Sequence, residues 1–217
     1  VKLSIDGVHF RAVVPNGSFP VSAKLLGSHN VANLLAAIAV GYSRGIRADV
    51  IQRIMRQVRP VPGRFEVVSS AEPFLVVVDY AHTDDALRNV LRAARQLTSQ
   101  HLITVFGCGG DRDRKKRPLM GQAAVNLSEL TIITSDNPRS EAPQAIISDI
   151  LKGVSAVTRK GHEVTVEVDR RKAIEKSIAA AAEGDIVIIA GKGHETYQIL
   201  RDRTIHFDDR EVAREVL

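Results

Sequence analysis

The chain has 217 residues, 44% of them apolar and 25% charged, enough for one large domain or two small ones with a buried core. Its formal charge of +5 points to anionic partners or to a solvated basic surface, while six Phe, three Tyr and no Trp leave few stacking platforms for single-stranded nucleic acid. No apolar run reaches the roughly 18 residues of a membrane span, and the lone cysteine, Cys108, excludes an intrachain disulfide and fits a reducing compartment. The opening residues, Val1 to Asp6, have neither a starting Met nor the apolar core of a signal peptide, so the chain reads as a piece of a longer cytoplasmic protein.

Residues 1–26 alternate apolar and polar, with turn signals at Asp6-Gly7 and Pro15-Asn16-Gly17, which predicts short antiparallel strands. The Ala- and Leu-rich stretch from Asn30 to Gly41 predicts a helix, and a second is expected from Asp49 to Val58. Pro60, Pro62 and Gly63 then break the pattern and suggest a domain boundary, with 1–63 before it and 64–217 after it. Beyond it, short β-branched runs at Phe74–Val78, Leu102–Phe106, Leu130–Ile133, Val164–Val168 and Ile186–Ala190 read as buried strands. Helical stretches at Asp84–Leu97, Pro118–Leu127, Pro143–Leu151 and Arg170–Ala182 separate them. Strands alternating with helices imply an α/β fold, a Rossmann-like, mainly parallel sheet with helices on both faces.

Four of these strands run directly into dense polar or glycine-rich segments: Asp79-Tyr80-Ala81-His82, Gly107 to Arg114, Ser135 to Arg139, and Gly191 to Glu195. In an open parallel sheet such carboxyl ends share one edge, where ligands bind. Gly107-Cys108-Gly109-Gly110 lets backbone N–H groups approach an anion, though it is neither a Walker A loop nor a GxGxxG fingerprint. The basic residues between Asp111 and Arg117 read as anion-binding or as a solvated loop. Asp136, Asn137 and Arg139, stiffened by Pro138, offer a carboxylate, an amide and a guanidinium suited to a zwitterion; an Asx-turn with an incidental Arg is the competing reading. Glu195 adds a second carboxylate. His194 reads as a base or as a structural histidine, and Asp79 as a ligand to ribose or phosphate-linked groups or as a helix cap. His82 follows a strand end directly. Cys108 has no matching base, so a nucleophilic role is not assigned. Asn30 and Asn33 fall on one helix face; Asn30 caps the helix or reaches a ligand. Arg64 stands just past the boundary, reaching a phosphate or lying on the surface.

Taken in order, HNVANLLAA (29–37), VPGRFE (61–66), DYAHTDDAL (79–87), FGCGGDRDRKKRP (106–118), TSDNPRSE (134–141), AGKGHETYQ (190–198) and FDDRE (207–211) resemble the Mur ligase family, and within it the diaminopimelate-adding ligases, for which DNPR looks diagnostic. The resemblance spans nearly the whole chain. It implies the end of a central ATP-binding domain followed by a C-terminal ligase domain. It implies ATP and Mg2+ as cofactors, meso-diaminopimelate and UDP-N-acetylmuramoyl-L-alanyl-D-glutamate as substrates, and missing N-terminal domains as partners, with no nucleic acid and no membrane. On the matching positions, Asn30, Arg64, Asp79 and His82 would lie at the ATP, and Arg112, Asp136, Asn137, Pro138, Arg139, Gly191 and Glu195 would hold the diaminopimelate; no metal ligand is assigned. Two positions depart from the pattern: His29 stands where the family often has Phe, and Asp84 where it has Pro. The chain has no GxxxxGK[ST], so the P-loop, the catalytic residues and most magnesium ligands are expected upstream of it. The rivals are another Mur-type ligase resembling folylpolyglutamate synthase, a noncatalytic amino-acid or nucleotide-binding module, and a nucleic-acid binder using Arg112 to Arg117.

Overall fold

A computed structural model describes residues 1–69, 72–157 and 159–217. The chain divides into two compact units, Val1–Val61 and Pro62–Leu217.

In the first unit, β1 (Lys2–Ser4), β2 (Gly7–Val14) and β3 (Gly17–Ala23) form an antiparallel sheet in that order, turning at the two positions the sequence marks. Alternate residues Val8, Phe10 and Ala12 of β2 face Phe19, Val21 and Ala23 of β3 in the core. Two helices cover that face. α1 (His29–Ser43) buries Leu34 and Ile38, and α2 (Ala48–Met55) buries Ile51 and Met55. α2 stops short of the expected Val58, since a chain heading into Pro60 leaves the helical region beforehand.

The second unit is built on a six-stranded sheet. Its strands are β4 (Glu66–Ser69), β5 (Leu75–Asp79), β6 (Leu102–Phe106), β7 (Leu130–Ile133), β8 (Glu163–Val166) and β9 (Ile186–Ala190), in the order β4-β5-β9-β6-β7-β8. Every neighbouring pair is parallel except β4 with β5. The last parallel strand in sequence, β9, therefore lies between the first two. Helices α3 (Asp84–Arg95), α4 (Lys116–Leu127), α5 (Pro143–Ser155), α6 (Arg170–Ala179) and α7 (Asp209–Val216) complete the unit. One sheet face, with Val76, Val78, Ile103, Val105, Ile132, Val187 and Ile189, packs on Ala173, Ile174 and Ile178 of α6 and Val212 and Ala213 of α7. The alternate residues, Val77, Leu102, Phe106, Ile133 and Ile188, are also buried, and α3 and α4 pack on the sheet with α5 behind α4. Burial on both faces is why these strands read as unbroken apolar runs, each large side chain contributing about 1.5–3 kcal/mol.

The expected α/β architecture holds, with helices on both faces. β8 begins one residue before the expected Val164 and ends at Val166. Four elements lie outside the sequence reading: β4, β10 (Tyr197–Ile199) and β11 (Thr204–His206), which pair as a hairpin, and α7. Among the described residues no helix is long and apolar enough to cross a membrane.

Candidate functional site

The parallel register aligns Asp79, Phe106, Ile133 and Ala190 at one edge of the sheet, so the four polar segments do meet there. The Ser135–Arg139 loop is largely enclosed. Asp136, Asn137 and Pro138 are buried and Arg139 is half-buried. Arg139 holds φ 52, a left-handed conformation that costs a non-glycine residue about 1–3 kcal/mol. It is fixed there by its N–H donating to Ile199 O at 3.1 Å and its guanidinium donating to Gly110 O at 2.9 Å. Asn137 is a hub: its Nδ2 donates to Glu195 Oε2 at 2.9 Å, and its Oδ1 accepts from Ile199 N at 2.9 Å and Lys192 Nζ at 3.3 Å. Burial pushes the Asp136 carboxyl above the ordinary carboxylate range, and the charges of Arg170 and Lys192 pull the other way. Gly191 faces it; a Cβ there would stand 2.7 Å from Asp136 Oδ2.

Lys192 is fully buried among these groups, and the sequence reading assigned it no role. The signal was present: a lysine between glycines, two residues past a strand buried along its whole length. A second unassigned group lies beneath the loops. Arg170, the first residue of α6, is fully buried and bidentate to Asp209 at 2.7 Å for both bonds, and also donates to Ala190 O and Ser135 O. It ties the ends of β7 and β9 to the start of α7.

The glycine-rich segment serves packing. A Cβ on Gly110 would lie 1.9 Å from Pro138 O, and one on Gly107 2.4 Å from Thr134 O, so these residues are glycine because the 134–138 backbone presses on them. Cys108 is buried with its Sγ 3.5 Å from Met120 Sδ, and burial pushes its thiol up to about 12, which leaves no thiolate for chemistry.

The basic run divides. Arg117 is fully buried, bidentate to Glu141 and bonded to Asp149, and Arg114 also reaches Asp149. These two are structural, so a single solvated or anion-binding loop is the wrong description. Arg112 is exposed, its Nη1 donating to Asp111 O at 3.1 Å. Lys116 donates to His82 O at 2.6 Å and so links this segment to the one after β5.

At the β5 end, Asp79 accepts from Phe65 N and Ala81 N, both at 2.8 Å. The helix-cap reading fails, because Thr83 caps α3. Exposed Arg64 lies over the Tyr80 ring at 4.9 Å, and the rings of His82 and His194 lie 4.7 and 5.0 Å from that ring. Gly63 closes this cluster, since a Cβ on it would meet His194 N at 2.1 Å. His194 and His82 are both exposed, and His82 Nδ1 bonds Tyr80 O at 2.9 Å. Asn30 belongs to the first unit. Ser28, not Asn30, is the N-cap of α1; the Asn30 amide instead donates back to Leu26 O and accepts from Asn33, so capping is overturned.

Beside Arg139 a cavity of about 340 Å3 opens between Pro138–Pro143 and the β10–β11 turn at Leu200, Arg201 and Asp202. A larger one, about 600 Å3, lies at the opposite edge of the sheet; two of its carboxylates are consumed, Glu129 by Arg95, Arg159 and Leu102 N and Asp185 by His101 N and Ala182 N, and the third, Glu163, is exposed.

The fold and this edge define a mainly parallel α/β domain that gathers charged side chains of both signs at the carboxyl ends of its strands. Residues 63–193 match the model of the Mur ligase glutamate ligase domain, and the chain belongs to the Mur ligase family. It is 55% identical over 214 residues to the UDP-N-acetylmuramoyl-L-alanyl-D-glutamate–2,6-diaminopimelate ligase of Solibacter usitatus, covering 99% of this chain and 43% of that protein. A ligase of the same name from Geobacillus kaustophilus is 50% identical with the same coverage. Among solved structures, a ligase of that name matches with TM-score 0.74 and 42% identity, over 99% of this chain and 43% of the other. The chain thus spans less than half the length of the relatives it matches.

Proposed function

We propose that this chain is the amino-acid-docking part of an ATP-dependent ligase of the bacterial cytoplasm, one that adds meso-diaminopimelate to UDP-N-acetylmuramoyl-L-alanyl-D-glutamate in peptidoglycan precursor synthesis. In this reading residues 1–63 end a central ATP-binding domain and 64–217 form the ligase domain. The observation that carries it is the convergence of Asp136, Asn137, Arg139, Gly191 and Glu195 on one strand-end edge, beside a cavity lined by Arg139. The names of the relatives support the choice of amino acid.

Arg139 and Arg112 bind carboxylates of the diaminopimelate, and Asp136 and Glu195 its distal ammonium. Arg64 and His82 approach the ATP, and Asp79, whose oxygens hold Phe65 N and Ala81 N, shapes the segments on which those two stand; the resemblance also assigns Asn30, on α1 of the first unit, to the ATP. The chemistry is amide formation through an acyl-phosphate of the D-glutamate side chain. The diaminopimelate amine forms the C–N bond, the C–O bond to phosphate breaks, phosphate leaves with that electron pair, and the nitrogen gives up a proton. What this chain's residues supply is orientation and charge neutralisation. Mg2+ belongs to the family's reaction, but among the described residues no group of three or more His, Cys, Asp or Glu could hold a metal, so no step is routed through one.

Calorimetric titration of the chain with meso-diaminopimelate, and with L-lysine as control, tests this reading. Lysine lacks the second carboxylate and would leave one Arg unpaired, a penalty of about 1–3 kcal/mol, so its affinity should be about fivefold or more weaker. Equal binding of both amino acids would overturn the choice of diaminopimelate, and binding of neither would overturn the docking role.

A further inference from the structure

We propose that Lys192 is a positioning residue for the amino-acid site, an inference that rests on the docking function proposed above. Its ammonium fixes Glu195 and Asn137 so that a single Glu195 oxygen, Oε1, is presented to the ligand's ammonium. Lys192 has zero exposure. Its Nζ has three protons and meets three acceptors: Tyr197 O, Glu195 Oε2 at 3.1 Å and Asn137 Oδ1 at 3.3 Å. Asp136 Oδ1 stands 4.0 Å away.

The orientation of the Asn137 amide follows from this. Its Oδ1 faces two donors, Lys192 Nζ and Ile199 N, so Nδ2 must point to Glu195, where it donates at 2.9 Å. Glu195 Oε2 thus receives two hydrogen bonds, one charged and one neutral. Among the described residues Oε1 receives none, and the Glu195 side chain keeps 16% of its surface exposed.

Burying an ammonium is costly, and an apolar side chain would fill the space at lower cost. Apart from the Tyr197 carbonyl, every polar partner of Lys192 is a residue of the proposed site, which is the pattern of a group kept for that site rather than for the core. Removing the charge frees Glu195 to rotate and lets Asn137 flip, so the loss should appear in amino-acid affinity through Glu195.

The test is a double-mutant cycle read by calorimetric titration with meso-diaminopimelate on the wild-type chain, Lys192→Met, Glu195→Gln and the double variant. Lys192→Met and Glu195→Gln should each weaken binding by about tenfold or more, the scale of a lost charged hydrogen bond. The double variant should bind within about threefold of Glu195→Gln, because the two changes remove one interaction. If Lys192→Met lacks the wild-type circular dichroism spectrum and cooperative unfolding, Lys192→Gln, neutral but still a donor, replaces it in the cycle. A folded Lys192 variant with wild-type affinity, a Glu195→Gln chain that binds normally, or losses that multiply as for a general structural weakening would each overturn the proposal. A wild-type chain that does not bind diaminopimelate would instead overturn the docking function, and this inference with it.

Discussion

Replacing Arg170 by Met should be among the most damaging single substitutions in the second unit. Met keeps an unbranched stem and a similar helix propensity at the first position of α6, so local helix formation is not the issue. What is lost is one half of a buried ion pair. Arg170 and Asp209 have zero side-chain exposure and share two bonds of 2.7 Å. Removing one partner of such a pair costs about 3–5 kcal/mol, because the remaining carboxylate stays buried without a counter-charge. Ala190 O and Ser135 O lose a donor in the same step. For a unit the size of Pro62–Leu217, about 2–4 °C in Tm accompanies each kcal/mol, so a drop of about 6–20 °C is expected. Urea unfolding, with the slope compared to confirm two-state behaviour, gives the free energy directly. The double variant Arg170→Met with Asp209→Leu should recover at least about half of the loss, since both charges are then gone. A loss below about 1 kcal/mol for the single variant, or a double variant as costly as the two singles combined, would refute this account of the pair.

Two further outcomes follow from the charge and burial of the loops. The Arg117 guanidinium and Asp111 N hold Glu141 down at about 2 in the fold, against 4.5 for a free glutamate. A carboxyl depressed by folding contributes stability that is complete above 4.5 and lost as pH falls through about 2, so the urea midpoint should decline across that window. In Glu141→Gln the decline should shrink to the share of the other carboxyls held low, Asp149 foremost through Lys152, Arg114 and Arg117; an unchanged profile would exclude Glu141 as a contributor. Cys108, buried and pushed up to about 12, should resist a thiol reagent in the native chain at mildly alkaline pH and react fully in urea, and prompt stoichiometric labelling of the native chain would contradict the burial.

The sheet was legible because its strands are buried on both faces. Leu102–Phe106 and Ile186–Ala190 have no polar face to interrupt the apolar run, so sequence and structure agree at both ends. The elements that escaped carry weak patterns. β10 and β11 have three residues each, too few to show alternation, and β10 buries only Gln198. α7 is mostly charged and buries Val212 and Ala213 beside Asp209, so its inward stripe is narrow and partly acidic. The polar segments after β5, β6, β7 and β9 were legible as a group, because their charges exceed what a turn needs. The duties of single residues were not. Arg112, Arg114 and Arg117 look alike in sequence, yet one is exposed, one braces Asp149 and one is sealed between Glu141 and Asp149.

The position of β9 explains why Lys192 in particular was missed. In chain order the Gly191–Glu195 segment follows everything else in the sheet, more than 50 residues after Asn137, and nothing local links it to Asp79 or Arg139. In space β9 pairs with β5 on one side and β6 on the other, so its loop emerges between the other two. That insertion brings Gly193 against Tyr80 and Gly63, and Lys192 against Asn137. A lysine there is surrounded on all sides before any ligand arrives, and the only stable arrangement for its charge is to be bonded by the acids and amides of the neighbouring loops. The sequence alone assigns no role to this lysine between glycines. The topology turns it into a buried counter-charge, and the residues it holds are the ones the strand-end chemistry had already singled out.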